Sequence, residues 1–255
     1  MFSWIYQERL ILLNHRILID KLSNVGIRGI PLKLFSDYFK CRVQAVYCNN
    51  EYSSFGDIKQ GVPQGSVLGP ILFLIYINDI INASTKCNFV MFADDTSLLY
   101  AEENAQQLHQ TIREDLGCVK QWIKCNKLKL NIHKTNLIFF QNRSYHRDFP
   151  VVKLDNEDVQ QVKQIKFLGI TVDEHLDWRP HINNVCMKLS KTCGLLYRVR
   201  KLMTKEALVS VYYILCYLQL IYCVFVWGGT WPTLLNDVFL SQKKKCQNNM
   251  LCRKV

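Results

Sequence analysis

Two adjacent acids, Asp94 and Asp95, are the residues of this sequence best placed to do chemistry. They lie inside NFVMFADDTSLLYA, residues 88–101, between the apolar runs 89–93 and 98–101. Short runs rich in β-formers and split by a few polar residues predict a tight hairpin with the acids at its turn. Apolar residues occupy both parities of the first run, which predicts a strand covered on both faces. Two like charges about 4 Å apart repel by roughly 4 kcal/mol at an effective dielectric near 20. Either one acid is protonated there, or a divalent cation compensates both. An isolated Asp-Asp pair also suits an ordinary solvated turn, so the neighbouring sequence has to decide.

The second chemical stretch is KQGVPQGSVLGPILFLIYINDI, residues 59–80. Gly61, Gly65 and Gly69 with Pro63 make a flexible or closely approached loop. Ser66 is placed to cap a helix, Pro70 falls in its opening turn, and residues 71–80 are apolar on nearly every side, which predicts a buried strut. A glycine-bearing loop running into a helix is a natural phosphate cradle. It matches neither the Walker nor the dinucleotide pattern, so alone it specifies little.

Other elements must hold these two stretches. Ile17, Leu18, Leu22 and Val25 repeat at helical spacing and end at Gly26. Pro31 opens a second helix with Leu34, Phe35, Tyr38 and Phe39 expected inward. Residues 42–48 and 52–58 read as strands joined at Asn49-Asn50. Ala105, Leu108, Ile112, Leu116, Val119, Trp122 and Ile123 define an amphipathic helix closing near Asn126. Residues 130–140 read as a strand with Lys134 and Thr135 at its start. A hairpin turning at Asp155-Asn156 and returning over 165–172 follows. From Trp178 the pattern is helical and basic, with Lys188, Lys191, Arg198, Arg200, Lys201 and Lys205, and then Lys243, Lys244 and Lys245. A domain boundary is expected near Asp173, giving 1–173 and 174–255.

Composition agrees with a folded, polyanion-binding chain. At 255 residues there is room for one large or two small domains, and the hydrophobic fraction of 49% excludes a disordered class. The formal charge of +11 points to an anionic partner, most often nucleic acid. Eleven cysteines without CxxC or finger-like spacing read as thiols of a reducing, intracellular compartment, cytoplasm or nucleus, and no secretory signal is expected. Residues 207–227 carry no charge over a bilayer-spanning length. Four tyrosines, Ser210 and Gln219 favour a buried helix of a helical domain over a membrane span.

QGVPQGSVLGPILFLIYINDI and FADDTSLL, in this order and spacing, resemble the reverse transcriptases of non-LTR retrotransposons, the jockey-like or LINE class. The likeness runs from Asn14 to about Leu240. It implies an α+β fold: a right-hand polymerase palm, an antiparallel sheet with packed helices, plus a helical thumb and with the fingers largely missing. It also implies RNA-directed DNA polymerase activity on an RNA template and DNA primer with dNTP. Asp94 and Asp95 fall on the acids that hold two magnesium ions, with manganese an alternative, one ion activating the primer hydroxyl and the other neutralising pyrophosphate. Phe92 falls where the primer end rests, although a lone Phe equally suits plain core. Gln64, Gly65 and Ser66 match the loop lining the incoming-nucleotide pocket. Lys134 matches a proposed general acid, or is a solvated strand-start lysine. Phe167, Leu168 and Gly169 match the turn that grips the primer, or are simply a hydrophobic strand.

One motif departs. The family's FLDLSKAFDTVNHRIL survives only as Asn14-His15-Arg16-Ile17-Leu18, and upstream stands MFSWIYQERLILL, where Glu8 is the sole acid and falls on another position. Trp4 has the single codon TGG and every Ile codon begins AT, so reading from the last base of each codon forces GAT, aspartate, across Trp4-Ile5. With permitted codons, that shifted frame over residues 1–13 reads VFLDLSRAFDTV, the missing motif. A small insertion or deletion before Asn14 explains the stretch. The family's first metal-binding Asp and its nucleotide-selecting aromatic are therefore lost, and the strand carrying them is expected to be missing or mispatterned. A chain with little or no polymerase activity follows, with a nucleic-acid-binding remnant as the alternative.

Overall fold

Helix signals set the first unit. Asn14 caps α1 (His15–Asn24) by accepting from the Ile17 N–H at 3.2 Å, and Leu18 and Leu22 bury its inner face. The computed structural model describes residues 1–5, 12–63, 65–144, 149–154 and 157–243, and the chain forms two compact units, Met1–Leu137 with Arg147–Gln161, and Ile138–His146 with Val162–Val255. Glu8, Gln64, the Asp155-Asn156 turn, Lys244 and Lys245 lie outside the described residues.

In the first unit β1 (Phe2–Ile5) precedes α1, and α2 (Ile30–Phe39) follows it with Pro31 in its first turn. Phe39 is buried and α2 packs on α1, but Leu34 is 69% exposed rather than inward. The two expected long strands are instead β2 (Val43–Gln44), β3 (Tyr47–Cys48), β4 (Glu51–Tyr52) and β5 (Gly56–Asp57), pairing as β2–β5 and β3–β4. Asn49 and Asn50 turn the ribbon at φ 52° and 63°, the left-handed pair asparagine tolerates. The residues of all four strands are exposed.

α3 (Leu68–Ile77) runs into a 3-10 turn over Asn78–Ala83. Leu72, Phe73, Tyr76 and Ile77 are buried, but Ile71 and Leu74 are about half exposed, so the expected all-round burial is confined to one face. β6 (Asn88–Phe92) and β7 (Asp95–Leu99) follow, then α4 (Ala105–Cys125), capped by Asn104 on the Gln106 N–H at 2.9 Å and ending at Asn126 as its pattern predicts. The expected strand over 130–140 shrinks to β8 (Asn136–Leu137). Before it, Asn131 accepts from the Lys134 N–H and winds Ile132–Lys134 into a 3-10 turn. β9 (Lys153–Leu154) pairs with β10 (Glu157–Asp158), and β11 (Gln160–Gln161) returns to the main sheet.

That sheet has the order β11-β8-β1-β7-β6, antiparallel except for the parallel β11–β8 edge. β1 therefore fills its middle, where a missing or mispatterned strand was expected. Ladder pairing needs only backbone groups, and Phe, Trp and Ile are strong β-formers, so the altered stretch still makes a strand. β6 is the edge and alternates exposed with half-buried residues, correcting the expectation of cover on both faces. β7 is the buried strand, with Thr96, Ser97 and Leu98 at 0% exposure.

The second unit begins with β12 (Gln164–Phe167) and β13 (Ile170–Asp173), a hairpin of its own rather than one returning strand. β13 packs on α5 (Arg179–Val199), so the unit boundary falls before this hairpin and not at Asp173. The buried Asp173 carboxylate accepts N–H bonds from His175 at 3.1 Å, Asp177 at 3.3 Å and Trp178 at 3.0 Å, tightening the turn into α5. Ile182, Val185, Leu189, Cys193 and Leu196 form its core stripe. α6 (Lys205–Tyr212), a π turn over Tyr213–Tyr217, α7 (Leu218–Ile221), α8 (Val224–Trp227) and α9 (Pro232–Leu240) complete the unit. The uncharged 207–227 stretch is broken at Cys223 (φ 51°), and among the described residues no helix is long and apolar enough to cross a membrane. Cys41, Cys48, Cys87, Cys118, Cys125, Cys186, Cys216 and Cys223 are free thiols, whereas Cys193 is disulfide-bonded, which corrects the expectation that every cysteine is a thiol.

Candidate active site

The hairpin that carries the acids is as tight as its sequence suggests. Phe92 pairs with Asp95, leaving Ala93 and Asp94 as a two-residue connection with Ala93 at φ 51°. A non-glycine residue in the left-handed region costs roughly 1–2 kcal/mol, and strain of this kind collects at functional turns. Asp94 and Asp95 are both half-buried at the tip. Phe92 is 62% exposed, so it serves as no core residue and its ring is available beside the acids.

β1 sets the other side of the tip. Its register pairs Trp4 with Thr96 and Ile5 with Asp95. Directly opposite residues of an antiparallel pair share a face with Cβ atoms about 5 Å apart, so position 5, with Phe92 on the other side, is a direct cross-strand neighbour of Asp95. This is where the shifted reading frame supplies aspartate. Thr96 Oγ1 and Ser97 Oγ, beside the acids on β7, are buried without a hydrogen-bond partner among the described residues. Each such orphan costs about 1–3 kcal/mol.

The glycine-bearing loop is anchored to the start of α1. The Gly61 N–H donates to the Leu13 carbonyl at 2.7 Å, His15 Nε2 donates to the Gly61 carbonyl at 2.7 Å, and Asn14 bridges Gln60. Gly61 and Gly65 hold φ of 87° and 84°, which only glycine adopts freely, and a Cβ at Gly65 would meet open space. Ser66 Oγ accepts from the Gly69 N–H at 3.0 Å, but the N-cap position of α3 is Val67, one residue later than expected. The surviving end of the interrupted motif thus buttresses the loop expected to face a nucleotide. Lys134 is exposed on the turn that packs against β1. Phe167, Leu168 and Gly169 belong to the second unit, as the turn between β12 and β13. Leu168 (φ 45°) and Gly169 (φ 87°) are both left-handed, and Tyr222 Oη donates to the Leu168 carbonyl at 2.6 Å.

One supporting network escaped the sequence reading. Lys21 Nζ, on α1, donates to the Tyr76 carbonyl at 2.6 Å and to Asp79 at 2.5 Å, and lies 4.8 Å from the Trp122 ring centre. Burial pulls the Lys21 ammonium below the ordinary lysine range, opposed by its bond to Asp79. It ties α1, α3 and α4 together. The available signal was Asp79, an acid at the end of an otherwise apolar helix. Tyr100 likewise donates to the buried Asp115 at 2.6 Å, with burial raising the tyrosine above its usual range.

A model of the family described as reverse transcriptase (RNA-dependent DNA polymerase) matches residues 12–172. The chain belongs to that family. The match starts at residue 12, two residues before Asn14-His15-Arg16-Ile17-Leu18. This reverse transcriptase domain is 28% identical to the "Probable RNA-directed DNA polymerase from transposon BS" of Drosophila melanogaster, over 88% of the chain and 27% of that protein. It is 27% identical to the RNA-directed DNA polymerase from mobile element jockey of Drosophila funebris, over 83% of the chain and 24% of that protein. The same element's polymerase in Drosophila melanogaster is 30% identical over 52% of the chain and 15% of that protein. The domain is therefore of the jockey-like non-LTR class, and the chain spans about a quarter of the length of the curated relatives it matches along most of its length. In fold it is similar to telomerase from Candida albicans, solved with a fragment of telomeric RNA, at 12% identity and a TM-score of 0.52, covering 96% of this chain and 47% of that one.

The donor set can be tested against the family's magnesium. Two carboxylates at one turn suit a single hard cation that completes its shell with water and phosphate oxygens. Among the described residues no group of three or more His, Cys, Asp or Glu side chains gathers to hold a metal, and the residue opposite Asp95 is Ile5. The described donors suit one ion.

Proposed function

We propose that this chain is the palm and thumb portion of a non-LTR retrotransposon reverse transcriptase, built for nucleotidyl transfer and, with Ile5 where a third carboxylate belongs, of little or no polymerase activity. The observation that carries this reading is the register Ile5↔Asp95 beside the Asp94–Asp95 turn. In the intact reaction, bound magnesium supplies activation of the primer hydroxyl and charge neutralisation at pyrophosphate. The chain's own residues do the positioning. Asp94 and Asp95 present the carboxylates, the exposed Phe92 ring offers a flat rest for the primer end, and Gly65 leaves room for a nucleotide beside Gln64 and Ser66. Lys134 is the proton donor to the leaving group, and the Phe167–Leu168–Gly169 turn grips the primer. RNA template, DNA primer and dNTP are the substrates, in the cytoplasm or nucleus.

Primer extension on an RNA template, wild type against Asp94→Asn, tests the reading. Both proteins are expected at background, and clear synthesis that depends on Asp94 would overturn the inactive state. A second reading, a nucleic-acid-binding remnant, is favoured by the exposed Lys188, Lys191 and Arg198 along α5 and Lys201 in the turn after it. It predicts binding that falls steeply with salt and ignores Mg²⁺ and nucleotide.

A further inference from the structure

The second unit holds a cavity of about 710 Å³ that the polymerase reading leaves unused, lined among others by Asn142, Arg143, His175, Asp177, Arg179 and Trp231. Its size falls within the range of small-ligand sites, roughly 300–1,000 Å³. Trp231 is 68% exposed, yet its backbone is fixed at the head of α9, its carbonyl accepting from Leu234 N–H at 3.0 Å and Leu235 N–H at 3.2 Å. A smaller hollow of about 340 Å³ also meets Trp231, so the indole borders open space in both. A large ring left in water on a rigid support is an unused stacking surface.

The charges around it are held in place by one acid. Asp177 pairs with the Arg143 guanidinium, accepts the Arg179 N–H at 3.0 Å on its carboxylate, and accepts Thr230 Oγ1 at 2.9 Å on its carbonyl. Three lining segments are thereby tied together. Two arginines against one aspartate leave a net positive wall. The Arg179 side chain is exposed and, among the described residues, makes no ion pair. Asn142 and Thr233 add neutral hydrogen-bonding groups at the rim. A planar apolar ring, an uncompensated guanidinium and a few amide and hydroxyl groups in one concavity match a nucleobase with its 5′ or 3′ phosphate. A base still paired in a duplex could not enter.

We propose that this pocket takes one unpaired base of a single-stranded RNA or DNA, stacked on Trp231, with the adjoining phosphate on Arg179 and Arg143. The proposal uses no residue of the Asp94–Asp95 site, so it stands or falls separately from the polymerase reading. The test is fluorescence anisotropy of the full chain in EDTA, with a labelled oligouridine strand, the same strand built of abasic sugars, and a blunt RNA duplex. Loss of one stacked base is worth about 1–3 kcal/mol, so Trp231→Leu should weaken oligouridine binding by about tenfold or more, with duplex and abasic binding unchanged. Trp231→Phe should restore most of the affinity, and Arg179→Gln should lower the salt slope by about one. Independently of any variant, oligouridine should quench the wild-type tryptophan emission and the abasic strand should not. Equal binding of oligouridine by wild type and Trp231→Leu overturns the proposal. So does a parallel loss of duplex binding, or equal affinity of wild type for the abasic strand.

Discussion

Replacing Ile5 by aspartate is the most demanding test of the site. The register places position 5 directly opposite Asp95, and opposed positions of an antiparallel pair have Cβ atoms about 5 Å apart on one face. At that separation and an effective dielectric near 20, a new carboxylate repels Asp95 by about 3 kcal/mol. In EDTA, Ile5→Asp should therefore melt below Ile5→Asn, which carries the polar group without the charge. For a chain of this size about 3 kcal/mol corresponds to roughly 6–12 °C. A divalent cation seated by three carboxylates reverses the sign. At a hundredfold excess over its dissociation constant, Mg²⁺ or Mn²⁺ returns about 2.7 kcal/mol, so the aspartate variant gains stability that wild type and Ile5→Asn do not. Scanning fluorimetry with and without the cation reads this directly, and primer extension reads whether any synthesis returns. If Ile5→Asp and Ile5→Asn melt alike in EDTA and neither responds to the cation, position 5 does not face Asp95 and the account of the lost third ligand is wrong.

Three further outcomes follow from particular side chains. Thr96→Val replaces a buried, unpartnered hydroxyl by a methyl of the same shape and should stabilise the chain by about 1 kcal/mol, a rise of roughly 2–4 °C in Tm. Gly169→Ala should destabilise the β12–β13 turn by about 1–2 kcal/mol from its left-handed φ alone. The loss should be larger because the new Cβ would stand 3.2 Å from Tyr222 Cε1, and Tyr222→Phe should soften it while costing the 2.6 Å bond to Leu168. His181 is buried, accepts the Thr171 N–H on Nδ1 at 3.2 Å, and is held below the ordinary histidine range by burial first and by Lys188 second. The unfolded chain then takes up a proton that the folded chain resists, so stability is full above the ordinary histidine pKa and falls as pH drops through the lowered one. Melting should fall from pH 7 to pH 5, and His181→Gln should flatten that part of the curve.

Local chemistry was legible along the chain wherever a residue type permits one geometry. Helix starts were less so: Asn14 and Asn104 cap their helices without having been singled out, and the cap expected at Ser66 falls one residue later, at Val67. Asn49-Asn50 marks a turn as expected, whereas at the acids the turn is Ala93-Asp94 and Asp95 already pairs with Phe92 as the first residue of β7. Faces were harder. Leu34, Ile71 and Leu74 are apolar at helical spacing yet exposed, since periodicity says which residues share a side and not whether another element covers it. The run over 130–140 lost most of its expected strand to Asn131, whose side chain offered the backbone a competing turn.

The sequence by itself determined the family, the two acids, the glycine-bearing loop and the break in the motif that should precede Asn14. Only the tertiary structure decided that the altered stretch still enters the sheet, and that it does so with Ile5 against Asp95. Backbone hydrogen bonds are indifferent to side-chain identity, so residues 2–5 can pair as a strand without an acid at position 5. Two partners along a chain can be read from their spacing, but a partner ninety residues away is fixed only by register.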